Sequence, residues 1–224
     1  MSFLSGAAVI CGKDLRIELR TREVVTTAGF FGVLVALMAA MSYAGAAIDI
    51  RVAPGTIWLA VAFSSVMAIA RTWQREREDG CFTSLLVTPL PRASLFLGKA
   101  LGVLAFVTAI ELVVVPVVAL VFHLDLLVLG PPLALVLFMG TIGVAAMGTL
   151  FGAMTVRTRA RDLVLATVLF PLLSPTLLSG VGATRDLFAG ATLGETGDHL
   201  LLIGVFDIVA LAGGMGLFGA LIEE

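Results

Sequence analysis

The chain has 224 residues, of which 59% are hydrophobic and 13% are charged. Soluble domains carry about 25% charged residues, and a mean hydropathy of +1.10 is far too high for such a protein. The composition therefore excludes a soluble domain and indicates an integral membrane protein. The formal net charge of −2 is uninformative by itself. Because Cys11 and Cys81 are the two cysteines, we predict reduced thiols and no disulfide framework.

Residues 1–22 are too polar to cross a bilayer, but they have the pattern of an amphipathic helix. Lys13, Arg16 and Arg20 lie off an apolar stripe that consists of Leu4, Ala8, Cys11, Leu15 and Leu19. We predict a helix that lies on the inner membrane surface. The alternative is a frayed basic leader that only sets the topology.

Six apolar stretches follow, each near the ~20 residues that a helix needs to cross a bilayer. They cover residues 24–47, 54–70, 97–122, 132–155, 163–182 and 200–221. We predict an all-α, polytopic membrane protein in which residues 1–224 form one transmembrane domain of six helices. Because the first stretch has full transmembrane length, we expect no cleaved signal peptide.

The basic residues lie almost entirely on one side of the predicted spans. They precede the first span, follow the second and follow the fourth, and only Arg51 and Arg185 fall on the other side. The positive-inside rule then predicts that both termini are cytoplasmic.

The segment between the second and third spans, residues 71–96, carries most of the interpretable charge. We predict two short helical pieces joined by a kink at Gly80, with Pro89 and Pro91 fixing the exit toward the third span. The second piece is apolar on the side of Phe82, Leu85 and Leu86. Such a knob fits a groove on a soluble partner. The alternative is a re-entrant hairpin that only satisfies the membrane surface.

Two acidic residues lie inside predicted spans. An ionised carboxylate at Glu111 costs about 2.5–3.5 kcal/mol on insertion scales unless it is paired, protonated or hydrated, so its side chain is expected to face protein. It is either a polar gate or hinge next to Pro116, or a protonated carboxyl bonded to a neighbouring helix. Asp207 has no basic residue within any span to pair with, except one at a membrane edge such as Lys99, so we expect protonation or water access.

Other intramembrane features concern helix shape and packing. Pro171 and Pro175 remove backbone donors from the fifth span, which predicts a kinked or broken helix that is either a moving element or a structural bend. Gly148 and Gly152 form a small-residue pair in the fourth span, for which we predict packing within the chain.

Enzyme chemistry has no support in the sequence. Phosphate loops, zinc-binding helices and nucleophile elbows are all absent, so we expect no catalytic residues, no metal, no directly bound cofactor and no ATP bound by this chain itself. His123 and His199 are interpreted as surface histidines rather than haem ligands. The arginines of residues 71–77 alternate with acidic residues, which does not favour nucleic acid.

Several motifs resemble a known family. The run Arg75-Glu-Arg-Glu-Asp-Gly80 and the later Pro89, Arg92 and Lys99 resemble the cytoplasmic coupling segment of type-2 ABC permeases. More narrowly, the chain looks like the CcmB family, the haem-exporter permease of cytochrome c maturation. That likeness is carried by Leu95-Phe-Leu-Gly-Lys99, Glu111-Leu-Val-Val-Val-Pro116, Arg157-Thr-Arg-Ala-Arg161 and Leu169-Phe-Pro-Leu-Leu-Ser-Pro175.

The resemblance implies a permease subunit in the bacterial inner membrane that is driven by a separate CcmA-type ATPase. CcmC- and CcmD-type membrane proteins are implied as partners, with haem as the pathway substrate and a CcmE-type periplasmic chaperone served indirectly. The residues implied for ATPase coupling are Arg75, Glu76, Glu78, Gly80, Leu85, Pro89, Arg92 and Lys99. The segment 183–199 matches no motif of the family.

Two alternatives stay open at this point. A generic type-2 exporter of a lipid-linked or drug-like substrate would share the coupling segment but have no link to cytochromes. A membrane scaffold that never cycles would have no need for the coupling segment.

Overall fold

The computed structural model describes residues 3–42, 50–78, 90–155 and 161–223, with side chains described for all but 161–166 and 223. Within these ranges the chain forms helices and no strands, as predicted. The α-helices are α1 (Phe3–Thr21), α2 (Glu23–Ser42), α3 (Ala53–Glu78), α4 (Arg92–Phe122), α5 (Leu126–Thr155), α6 (Arg161–Phe188) and α7 (Gly197–Glu223), and a 3₁₀ turn at Ile50–Val52 precedes α3.

Helices α2 to α7 are each long and apolar enough to cross a membrane, which confirms six candidate spans and a multi-pass membrane protein. The predicted boundaries are less accurate than the number of spans. Helix α3 continues to Glu78 and α4 begins at Arg92, so the first predicted piece of the segment 71–96 is an extension of the second span and not a separate short helix. The predicted kink at Gly80 and the second piece with Phe82, Leu85 and Leu86 lie outside the described residues. Charged residues such as Arg and Glu are good helix formers, and α3 therefore does not end where its apolar stretch ends.

The fifth span is longer than predicted and is not broken. Helix α6 runs without interruption through Pro171 and Pro175 to Phe188, so part of the segment 183–199 is helical. Pro175 has no N–H for the carbonyl of Pro171. The Ser174 hydroxyl donates to that carbonyl at 2.7 Å. Such side-chain replacement is how membrane helices tolerate proline.

Helices α4 and α5 lie at the centre of the bundle. Helix α4 packs against α1, α2, α3, α5 and α7, whereas α5 packs against α3, α4, α6 and α7. The indole of Trp58 on α3 is enclosed between Gly140 of α5 and Gly180 of α6, and its Nε1 donates to Thr184 Oγ1 at 2.9 Å. Three spans are therefore joined around one buried aromatic ring.

Glycines on α5 allow α3 to approach closely. A Cβ atom added at Gly148 would lie 2.2 Å from Ile69, and one added at Gly152 would lie 2.1 Å from the Trp73 ring. The small-residue pair predicted in the fourth span thus packs within the chain, as expected where helices associate in lipid through close contact.

We predict that Gly152→Val destabilises the protein, because the new side chain overlaps the buried Trp73 ring. Overpacking typically costs about 1–3 kcal/mol, which should lower the thermal unfolding midpoint of the detergent-solubilised protein. The matched control is Gly213→Val on α7, where nothing lies within 4 Å of an added Cβ. Equal midpoints for the two variants would contradict this packing.

Candidate functional site: a buried ion cluster beside the coupling segment

The last turn of α3 and the start of α4, which lie on either side of the centre of the coupling segment (residues 71–96), meet in a cluster of four charged residues. Three of the four are buried and the fourth, Lys13, is partly exposed. This ion cluster consists of Lys13 and Asp14 of α1, Glu76 of α3 and Lys99 of α4. The Lys99 Nζ atom lies 2.8 and 3.1 Å from the two carboxylate oxygens of Asp14 and also donates to Glu76 Oε1. The Lys13 Nζ atom donates to the same Glu76 oxygen at 2.7 Å. One cluster therefore joins three helices.

The Lys99 side chain is only 3% exposed, and those of Asp14 and Glu76 are 6% and 7% exposed. Charges removed from water are tolerated when each has an opposite partner and further hydrogen bonds. Lys99 has two carboxylates and also lies 5.9 Å from the centre of the Trp73 ring, an attractive cation–π distance. The burial of this lysine thus depends on residues from other helices.

Small residues on α4 let α1 reach the ion cluster. The Ser94 hydroxyl donates to the Phe3 carbonyl at 2.7 Å. A Cβ added at Gly98 would lie 2.7 Å from the Ala7 carbonyl oxygen, and one at Gly102 would lie 3.4 Å from Asp14. Positions 94, 98 and 102 recur every four residues, so they form one face of α4. Gly98 therefore allows α1 to pack closely against α4, and Lys99 binds α1 through Asp14.

Arg75 binds the junction between α1 and α2 in a similar way. Its guanidinium contacts Glu18 at 3.4 Å, Thr21 at 3.2 Å and Glu23 at 2.9 Å. Glu18 also accepts a hydrogen bond from the Val25 backbone N–H at 2.9 Å, which satisfies one free donor at the start of α2. Arg75 thereby attaches the end of α3 to both α1 and α2.

The electrostatics of Lys13 follow from its position at the edge of the ion cluster. Burial by itself would lower the pKa of Lys13, but the charge of Asp14 and the hydrogen bond to Glu76 outweigh this effect and raise the pKa above 10.5. The ammonium form is the one that the folded protein stabilises.

The predicted coupling residues fall into distinct environments. Gly80, Leu85 and Pro89 lie outside the described residues. Glu78 is exposed and accepts a hydrogen bond from Gln74 at 2.7 Å, and Arg92 begins α4 in a half-buried position.

Glu76, Lys99 and Arg75 instead hold helices together. Glu76 and Lys99 are inside the protein, not at an exposed docking face. Among the residues that the structure describes, the exposed charge nearest the centre of the coupling segment is therefore Glu78.

Sequence reasoning overlooked α1 as part of this site. Its buried face is Gly6, Ala7, Ile10, Asp14 and Glu18, whereas the apolar stripe predicted for it points outward, with Leu4 and Leu19 well exposed. The signals that could have indicated the contact are two acids, Asp14 and Glu18, on a face of α1 about 80° from the apolar stripe, and the small residues that repeat every four positions on α4.

The two intramembrane acids, Glu111 of α4 and Asp207 of α7, are both buried, and they pack against different faces of α5. The Thr141 hydroxyl donates to Glu111 Oε1 at 2.5 Å, so Glu111 faces protein as predicted. The Asp207 carboxylate lies against Gly143, only 2.5 Å from a Cβ added there. Positions 141 and 143 are about 200° apart around a helix, and α5 therefore separates the two carboxyl groups. Pro116 lies beside Glu111 in the wall of a cavity.

The two histidines lie near the ends of spans. His123 follows α4 in the left-handed backbone region and is exposed. His199 Nε2 lies 3.4 Å from Asp186 Oδ2 and its ring packs against Gly182. Among the described residues, no group of three or more potential ligands could hold a metal ion.

We predict that Lys99→Met strongly destabilises the protein, because it leaves the buried Asp14 and Glu76 carboxylates with only the partly exposed Lys13 as a counter-charge in the cluster. Breaking a buried ion pair costs about 3–5 kcal/mol, measurable as the thermal unfolding midpoint in detergent. The exposed-charge control Arg20→Met should stay within about 0.5 kcal/mol of the wild type. The triple variant Lys99→Met/Asp14→Asn/Glu76→Gln should recover part of the loss, and a triple variant no better than Lys99→Met would contradict the assignment.

Lys13 provides a pH test. Because its pKa is raised on folding, its contribution to stability is complete below its ordinary pKa of 10.5 and is lost as the pH rises through the higher value in the folded protein. Wild type should therefore be more stable than Lys13→Gln near neutral pH, and the difference should disappear in strong alkali. Lys13→Arg keeps its charge there, so it should retain its advantage over Lys13→Gln. A pH-independent difference for wild type would refute the role of Lys13.

Comparison with known proteins gives a family match and several similar bacterial proteins. The CcmB protein family matches residues 6–220 of the chain. A relative from Paracoccus denitrificans, described as Heme exporter protein B, is 34% identical over 145 residues, which cover 63% of this chain and 64% of the relative.

Proteins with the same description from two further bacteria match more of the chain. The one from Pseudomonas aeruginosa is 28% identical over 205 residues, 91% of this chain and 90% of the relative. The one from Bradyrhizobium diazoefficiens is 26% identical over 188 residues, 84% of each chain. Since the family match includes the ion cluster, five candidate spans in full and the sixth to residue 220, this chain belongs to the CcmB protein family.

Proposed function

We propose that this chain is the permease subunit of an ABC transporter that acts in cytochrome c biogenesis. The family assignment and the description of its relatives as heme exporters support the haem pathway. In this proposal the chain lies in the bacterial inner membrane with both termini in the cytoplasm, and α1 rests on the inner surface with its apolar stripe against lipid. ATP hydrolysis belongs to a separate CcmA-type subunit.

The observation that carries the coupling role is that the ion cluster joins both ends of the coupling segment. Glu76 precedes the centre of that segment and Lys99 follows it, and both bind α1. A partner that pushes on the segment therefore acts on α1, α3 and α4 together, because none of these helices can shift alone without separating buried charges.

We further propose that ATP hydrolysis drives release of a haem-loaded, CcmE-type chaperone and not passage of haem through this chain. Cavities of about 390 and 330 Å³ lie among the described residues, and none of the described residues that line them is His, Cys, Met or Tyr, the usual axial ligands of haem iron. CcmC- and CcmD-type proteins complete the assembly. Since ABC ATPases act in pairs, the second membrane surface comes from CcmC or from another copy of this chain.

The test is haem staining of covalent c-type cytochromes in a strain that lacks this gene and carries either wild type or Glu78→Lys. Glu78 is chosen over Glu76 because its side chain is exposed, so the charge reversal should leave the membrane level of the protein unchanged. We expect wild type to restore cytochromes and Glu78→Lys to restore few of them and to recover less ATPase subunit on purification. The control is Asp198→Lys, an exposed reversal at the start of α7.

Each outcome identifies a different function. Cytochromes that persist without the gene would remove the link to haem and favour a generic exporter. Full restoration by Glu78→Lys despite lost ATPase binding would favour a scaffold that never cycles.

A further inference from the structure

A cavity of about 390 Å³ opens between α4 and α5 near Pro116. Its volume is at the lower end of the ~300–1,000 Å³ typical of small-molecule sites, which are mostly apolar with a few polar groups. Most of its wall is aliphatic, and the chemically informative residues are Thr108, Glu111, Leu112 and Pro116.

Three residues of α4 in this wall, Thr108, Glu111 and Leu112, carry polar groups that are relevant to a ligand. Glu111 is 6% exposed and its carboxyl group is held by the Thr141 hydroxyl. The Thr108 hydroxyl oxygen is buried and has no hydrogen-bond partner among the described residues. Pro116 has no N–H, so the Leu112 carbonyl lacks its helical donor. Since an unmade hydrogen bond is costly away from water, these groups favour a ligand that supplies one.

A second cavity shows what a purely apolar site in this protein looks like. It has a volume of about 330 Å³ and lies between α3 and α6, beside Trp58, Phe63 and Phe170. The Trp58 N–H, its one strong polar group, is already bonded to Thr184. This second cavity offers a lipid chain nothing beyond apolar contact, and it serves as an internal comparison.

We propose that the cavity at Glu111 binds a neutral, membrane-soluble amphiphile that carries a hydroxyl group on an apolar body. The hydroxyl both donates and accepts, which suits the Leu112 carbonyl and the Glu111 carboxyl as well as the Thr108 hydroxyl. An anionic head would find no basic residue in the described lining, and a cation would require two charges to be buried together. The proposal is independent of the haem pathway.

The test is photolabelling of the purified full chain in lipid nanodiscs with a diazirine-tagged hexadecanol, read out by mass spectrometry. We expect saturable labelling of α4 and α5 around Leu112 that untagged hexadecanol removes and hexadecane does not. Glu111→Leu should weaken half-saturation about threefold to tenfold, the effect of one net hydrogen bond. Glu111→Gln retains hydrogen bonding and should stay closer to wild type.

Variants that fill the cavity provide a second, independent test of the proposal. Gly130→Leu should abolish saturable labelling, because an added Cβ there meets only Leu126 at 3.9 Å and the rest of the side chain enters the cavity. Ala134→Phe serves the same purpose if Gly130→Leu folds poorly. Gly213→Leu on α7, with open space around it, should label like wild type.

Three results would overturn the proposal. Equal competition by hexadecane would make the site a crevice for lipid chains, like the cavity beside Trp58. Labelling that neither Glu111→Leu nor the two filling variants change would place the ligand elsewhere. Protection of α4 and α5 by a co-purified membrane subunit, without saturable labelling in its absence, would make the groove a protein interface.

Discussion

The buried ammonium group of Lys99 constrains the whole assembly of α1, α3 and α4. A lysine at this depth is stable only with opposite charges next to it, and its two carboxylate partners come from different helices. In lipid, apolar surface supplies little attraction between helices, so close packing and polar contacts hold them together. The small residues at 94, 98 and 102 supply the close packing, and the ion cluster supplies the polar contact.

This arrangement separates two kinds of charged residue in one short segment. Arg75 and Glu76 lie in the last turn of α3, close to its exposed end. Glu76 nevertheless binds Lys13 of α1, and Arg75 binds Glu18 near the junction of α1 with α2. Glu78, two positions later, faces outward. Residues of similar chemistry thus hold helices together or remain free for a partner, according to which face of α3 they occupy. In the proposed function, the residues that hold helices together transmit movement of the coupling segment to α1 and α4, and the exposed Glu78 takes part in recognition of the ATPase subunit.

Helix α5 organises the other half of the molecule through its faces. Glycines admit the aromatic rings of α3 on one side and Asp207 of α7 on another, while Thr141 holds Glu111 beside the cavity. Two carboxyl groups are therefore kept apart in separate environments, and Glu111 borders a cavity of about 390 Å³. This separation argues against a paired-acid site and in favour of distinct roles for the two residues.

The sequence by itself determined the helical class, the six spans and the inward direction of Glu111. A chain in lipid must satisfy its backbone internally and cover about 30 Å of hydrocarbon, so hydropathy alone identifies spans. It did not determine their ends, because helices continue into charged residues once begun, as α3 does to Glu78.

Only the tertiary structure decided which charges pair. Asp14 and Lys99 are 85 positions apart, and Lys13 and Glu76 are 63 apart. Local patterns show which side of a helix is polar but not which helix will cover it. For that physical reason the family resemblance could group Glu76 and Lys99 with the residues for ATPase coupling, but only the fold shows that both are buried against α1.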